Sequence, residues 1–179
     1  MSRSDHNGQA TALTVLTPIV PGREGDLRAV LEALPTGSAS PLARVPRTHV
    51  ARFAIIDRLV EDDVPRQDRL RFQYLLFSSS LDGDVESYLT DICTHMPDEA
   101  DAIWSHCSGY PGSAEAARFR RFVLDHRITS SFFFSAYPEA TVHDVRTARV
   151  LREQLLAFVL GARGLDAAGR LESFRTAFP

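Results

Sequence analysis

The 179-residue chain has no lysine: all twenty of its basic residues are arginine. Schiff-base chemistry through a lysine, covalently held pyridoxal phosphate included, is thereby excluded, and so is a P-loop, which needs a lysine on the phosphates. Two cysteines, Cys93 and Cys107, are too few for a disulfide framework and suit a reducing compartment. No apolar run approaches the roughly 20 residues that a membrane span requires. The opening "MSRSDHNGQA" is polar and lacks the apolar stretch of a secretory leader. These absences predict a cytoplasmic protein with a flexible N-terminus over residues 1–10 and no membrane partner.

Other absences narrow the chemistry. The net charge of −3 gives no bulk attraction to nucleic acid, and Arg118, Arg120 and Arg121 form the one tight basic cluster. There is no GxSxG elbow, no GxGxxG after a strand and no calcium loop. Cys93, His95, His106 and Cys107 do not stand at zinc-site spacings, so no metal is predicted. The absence of C-x-x-C-H excludes covalent haem attachment, although a single histidine suffices as an axial ligand.

What is present is a clear alternation of element types. "TALTVLTPIV" (11–20) is rich in β-branched residues and reads as a strand, followed by a helix with Leu27, Val30, Leu31 and Leu34 on one face. Residues 35–47 carry three prolines and read as a loop. "THVARFAIID" (48–57) and "RFQYLLFSSS" (71–80) are two more strands, joined by the polar link "RLVEDDVPRQDR" as a long hairpin connection. Asp84 suits the N-cap of the next helix. A short helix follows Pro97, a third begins after the Tyr-Pro-Gly break, and "ITSSFFFSAY" (128–137) reads as a fourth strand. Thr141 and Asp144 open a long helix over 142–161 with a capping-box signature, and 161–179 reads as a C-terminal tail or a short helix.

The order β-α-β-β-α-β is that of the ferredoxin-like α+β fold, with a helical insert at 97–127 and one helix appended, so residues 11–160 are expected to form one domain. The strand segments "ALTVL", "FAII", "YLLF" and "FFF" are apolar on both faces. A sheet covered by helices on one side only would alternate apolar with polar. Something must cover the second face, and a second copy of the chain is the expected partner. In element order and two-sided strands the chain resembles the dimeric α/β-barrel superfamily, and "THVARF" and "HCSGYP" resemble segments of bacterial proteins. That superfamily includes cofactor-free monooxygenases, polyketide cyclases, chlorite dismutase-like and dye-decolorising haem proteins, and aldoxime dehydratases. The resemblance implies a homodimer acting on a hydrophobic, carbonyl-containing small molecule without a cofactor, as a monooxygenase or cyclase. Its alternatives are a haem protein with His106 as axial ligand, and a non-catalytic ligand-binding or assembly protein.

Five side chains are candidates for the chemistry. Period-two spacing puts His49 and Arg52 on opposite faces of their strand unless a bulge intervenes. His49 is a candidate base, and Arg52 reads either as an oxyanion clamp or as half of a structural ion pair. Tyr74 and Ser78 share a face and offer hydroxyls to a carbonyl. In "AIWSHCSGYPGS" (102–113), Ile103, Trp104 and Cys107 lie on one helical stripe and His106 lies off it. His106 and Tyr110 read either as an acid/base pair at a pocket rim or as a helix end closed by an aromatic plug.

Overall fold

The computed structural model describes residues 5–58 and 69–178, so most of the link expected between the second and third strands lies outside the described residues. Two compact units are present, Met1–Glu139 and Ala140–Pro179. The division falls well before residue 160, where the sequence reading ends the domain. The first unit contains β1 (His6–Asn7), β2 (Ala10–Pro18), α1 (Glu24–Ala33), β3 (Thr48–Arg58), β4 (Arg69–Asp82), α2 (Val85–His95), α3 (Pro97–Trp104), α4 (Ala116–Asp125) and β5 (Arg127–Ile128). The second contains α5 (Val142–Gly161) and α6 (Ala167–Ala177). None of these helices is long and apolar enough to cross a membrane.

The α+β architecture rests on one open sheet in which every pairing is antiparallel. β2 pairs with β4, β4 with β3, and the free edge of β2 takes both β1 and β5. The long fourth strand expected over 128–137 does not form. With Ile128 opposite Thr14, continued pairing would bring residues 131–132 against Thr11 and Ala10, and His6 and Asn7 already occupy that edge. The chain therefore leaves the sheet, and Phe132 and Phe134 stand 81% and 68% exposed.

The N-terminal segment that does this is ordered from Asp5 onward. Asp5 is buried, accepts from Arg127 Nη2 at 2.9 Å and from the Ser130 N–H at 2.8 Å. A carboxylate taken out of water must be paired, and here the pair ties β1 to β5 across the sequence. Gly8 adopts φ +63°, and a side chain there would collide with the Pro138 carbonyl. Its neighbour Gln9 donates its N–H to that carbonyl at 2.6 Å.

Alternation along the strands sorts the two sheet faces. Leu13 and Val15 of β2 and Leu75, Phe77 and Leu81 of β4 are fully buried, and they join a core with Leu27, Leu89, Ile92, Ile103 and Phe119 of the helices. Trp104 sits at its centre, edge-on to Phe77 (5.4 Å), Phe53 (5.6 Å) and Phe119 (5.4 Å). Residues of the opposite face, such as Leu16, Leu76 and Ser78, keep partial exposure, and Val50 is 65% exposed. The helices cover one face of a sheet that is apolar on both.

Asp5→Ala leaves the Arg127 guanidinium with one polar partner fewer in a buried position, which costs about 3 kcal/mol. Urea unfolding followed by Trp104 fluorescence measures it; a loss below about 0.5 kcal/mol would mean that the segment adds nothing to the fold.

Candidate functional site

The aromatic segment that closes α3 belongs to the helical layer. Ile103 and Trp104 are fully buried, as their shared stripe predicts, and Cys107 is nearly so. The chain then runs beside the end of β2: the His106 carbonyl accepts from Val20, Ser108 donates to Pro18, and Thr17 donates to the Cys107 sulfur at 3.2 Å. Tyr110 packs edge-on against Phe119 and Phe122, and its hydroxyl donates to Asp101 Oδ1 at 2.7 Å. The same carboxylate oxygen accepts from the Ser113 N–H at 2.8 Å. Tyr110 is thus held by Asp101 and not by His106, and the two do not form an acid/base pair. The arrangement is an aromatic plug whose polar tip is clamped to α3.

Its electrostatics agree with that role. Burial, and then the adjoining Asp101 carboxylate, drive the Tyr110 phenol far above its ordinary range, so it stays protonated. Burial works against the charge on Asp101, but the hydrogen bonds from Tyr110 and Ser113 outweigh it and hold the carboxyl below its ordinary value. Burial also pushes the Cys93 thiol up to about 11 and raises that of Cys107. Both are thiols at neutral pH, and neither is a nucleophile there.

His106 is 6% exposed, and its Nδ1 is buried without a hydrogen-bond partner among the described residues. Haem ligation would require open space on that ring. Neither the cavity between α2 and α4 nor the one at the β3 edge is lined by His106. Its surroundings therefore do not fit a haem. Among the described residues no three His, Cys, Asp or Glu side chains gather as a metal site.

The other three candidates lie on β3 and β4. Thr48 pairs with Leu81 and Val50 with Ser80, so His49 is the extra residue of a β-bulge. Its Nε2 lies 2.5 Å from Asp82 Oδ1, and Asp82 shares a face with Ser78 and Ser80 by alternation. Arg52, opposite Ser78, is on that face too. Strict alternation would separate His49 from Arg52; the bulge puts them on the same side. Because a carboxylate only accepts, the neutral imidazole carries its proton on Nε2 and keeps a lone pair on Nδ1. Both side chains are mostly shielded, His49 at 23% and Asp82 at 15% exposure.

Arg52 is exposed and has no carboxylate at ion-pair distance among the described residues. The structural ion pair that the sequence allowed is absent there. Arg52 also borders a cavity of about 350 Å³ at the β3 edge, walled by Leu31, Leu34, Pro35 and Phe53 with Ser40 beside them, on the helical side of the sheet and so across from His49 and Asp82. It follows His49 by three residues, about 10 Å along the strand, within the span of one small molecule. Tyr74 pairs with Ile56 and lies eight residues from Asp82, about 27 Å away. Tyr74 shares the face and is out of reach.

The sequence reading missed Asp82 and the cavity, which is built by the end of α1, the 35–40 loop and residues 51–53 of β3. The "LDGD" segment carried the carboxylate, but nothing in its spacing aims it at His49. Compared with protein-family models, with curated proteins and with solved structures, the chain matches none. What the site does rests on its own geometry.

The Asp101 clamp gives a pH-dependent term. A carboxyl held below its ordinary value in the folded state contributes stability above the unfolded pKa of about 3.9 and loses it as pH falls through the folded value. The stability difference between the wild type and Asp101→Asn is therefore full at pH 6 to 7 (about the middle of the stable range) and shrinks below about pH 4. Urea titrations at several pH values measure it, and a difference that does not change with pH excludes the clamp as its source.

Proposed function

We propose that the chain is a small-molecule enzyme of the ferredoxin-like, α/β-barrel type, with His49 as general base. Support for the fold reading is the antiparallel order β5-β2-β4-β3 with a helix between β2 and β3 and helices between β4 and β5, which is the split βαβ arrangement. One observation carries the functional reading: a His–Asp pair and an arginine with no carboxylate at ion-pair distance among the described residues lie on the same sheet face as the partly exposed Leu16 and Leu76.

The substrate class follows from those three parts. The apolar residues of that face, Leu16, Leu76 and Val50, suit a hydrophobic body. Arg52 suits a group that becomes anionic, such as a carbonyl oxygen turning into an enolate. His49 Nδ1 takes the proton from the carbon beside that carbonyl, and Asp82 stabilises the imidazolium so formed. The electron pair of the broken C–H bond moves onto the carbonyl oxygen, beside Arg52. The resulting carbanion equivalent is what a cofactor-free oxygenase or a cyclase uses next. A second copy laid against the partly exposed face is our reading of how its apolar remainder is covered, and of how water is kept from the base.

Exchange of α-hydrogens in D₂O, followed by proton NMR over a panel of aryl ketones and β-diketones, tests the proposal without presupposing the later step. The wild type accelerates exchange for at least one class; His49→Ala lowers that rate at least about 100-fold, and Asp82→Asn about tenfold or more. Arg52→Ala lowers it by a similar order while the fold survives. An unchanged rate in His49→Ala, or a wild type inert across the panel, overturns the reading. For the sheet contact, Leu76→Arg raises the monomer fraction in light scattering and lowers exchange.

A further inference from the structure

A second cavity, of about 330 Å³, lies in the helical layer between α2 and α4, where β5 begins. Phe119, Phe122 and Val123 bury one stripe of α4 in the core, and Arg120 beside that stripe reaches across to α2. Asp84, Glu86 and Thr90 line the cavity from α2 and its cap, Arg120 from α4, and Arg127 from the start of β5. Both arginines are anchored. Arg120 Nη1 donates to Thr90 Oγ1 at 3.0 Å, and that hydroxyl donates in turn to the Glu86 carbonyl at 2.9 Å. Arg127, with a side chain 16% exposed, donates from Nη2 to the buried Asp5 at 2.9 Å. A guanidinium already held in place loses less freedom when a ligand arrives.

The charges around this space divide into committed and uncommitted. Arg127 is spent on Asp5. Asp84 caps α2 by accepting the Ser87 N–H at 2.8 Å and lies 3.9 Å from Arg47. Glu86 and Arg120 are the remaining pair. They have opposite signs and line the same cavity, yet neither makes an ion pair with the other or with any other described residue. A bare anion drawn to Arg120 would also face the Glu86 and Asp84 carboxylates, and a bare cation would face the two guanidinium groups. Opposite charges that border one space without meeting are complementary to a molecule that carries both.

We propose that this cavity binds a small zwitterion, a free amino acid, with its carboxylate on Arg120 and its ammonium on Glu86. A planar guanidinium takes a carboxylate through parallel N–H donors, and Thr90 occupies only one end of the fork. Leu124 gives the ligand's side chain an apolar wall, and about 330 Å³ stands at the lower end of small-ligand cavities. The site is separate from the His49–Asp82 face, and the two readings hold or fail independently.

Isothermal titration calorimetry of the full chain against the common α-amino acids at neutral pH tests it. At least one binds with a Kd below about 1 mM. Its N-acetyl and C-amide counterparts, each lacking one charge, bind at least about tenfold more weakly. Arg120→Gln and Glu86→Gln each weaken binding of the free amino acid by the same order. Circular dichroism and Trp104 fluorescence report whether each variant keeps its fold, and the capped ligands carry the test on the wild type alone. A wild type that binds no amino acid at that strength overturns the proposal. So do capped forms that bind as well as the free amino acid, or binding that survives either substitution in a folded variant. Inorganic phosphate is titrated in parallel. Phosphate bound as tightly as any amino acid, and unaffected by Glu86→Gln, marks a plain anion site and rejects the zwitterion.

Discussion

The first unit depends on a single asymmetry: one sheet face is packed by aromatic rings and the other is not. Trp104 has Phe53 and Phe77 of the sheet on one side and Phe119 of α4 on the other, so one side chain joins three layers of contact. Edge-to-face pairs of this kind add about 0.5–1.5 kcal/mol each beyond area burial. The Phe53–Phe77 stack at 4.8 Å fixes β3 against β4 at the same place. With Trp104 in position, α3 ends where it does, the chain turns past His106, and Tyr110 closes the layer with its hydroxyl on Asp101. Polar groups on this side are spent on one another, as a low-dielectric interior requires.

The other face inherits what the helices do not use. It carries apolar residues that gain nothing from water, a His–Asp pair, and an arginine with no counter-charge among the described residues. Its geometry hangs on one extra residue. Without the bulge at His49, strict pairing would turn the imidazole toward the helices, where Thr48 and Ser79 already meet the Tyr88 hydroxyl at 3.3 and 2.9 Å. With it, His49 reaches Asp82 and stands on the side of Arg52. A bulge near the end of an edge strand commonly re-aims a side chain in this way.

Much of the architecture was legible because its signals are local. The Asp84 cap, the Thr141–Asp144 box and the helical stripe of Ile103, Trp104 and Cys107 each depend on neighbours within a few residues. The fourth strand was misread because its failure is non-local: β propensity in "ITSSFFFSAY" is high, and residues 6–7 take the edge it needed. Asp5 was assigned to a flexible end because its partner is 122 positions away. For the candidate site the residue types were visible and their association was not. His49 and Arg52 were both named, yet period-two spacing set them apart, and His106 with Tyr110 looked associated through sequence proximity alone. Tyr74 shared a face on paper, and only the length of the strand, about 27 Å to Asp82, removes it.

The same accounting separates what holds the protein together from what is left for function. At the end of α3 a titratable group either has a partner that fixes its state, as Tyr110 and Asp101 do, or is buried away from both cavities, as His106 is. Changing such a group alters stability and pH dependence before it can alter a reaction. On the open side the balance is reversed. An arginine left without a carboxylate gains little for the fold, since exposed charges contribute near zero even when paired. Arg52 borders the cavity at the β3 edge, and among the described residues no carboxylate stands at ion-pair distance from it. On the reading proposed above, reactivity belongs to the edge strand, one layer away from the segment richest in Trp, His, Cys and Tyr.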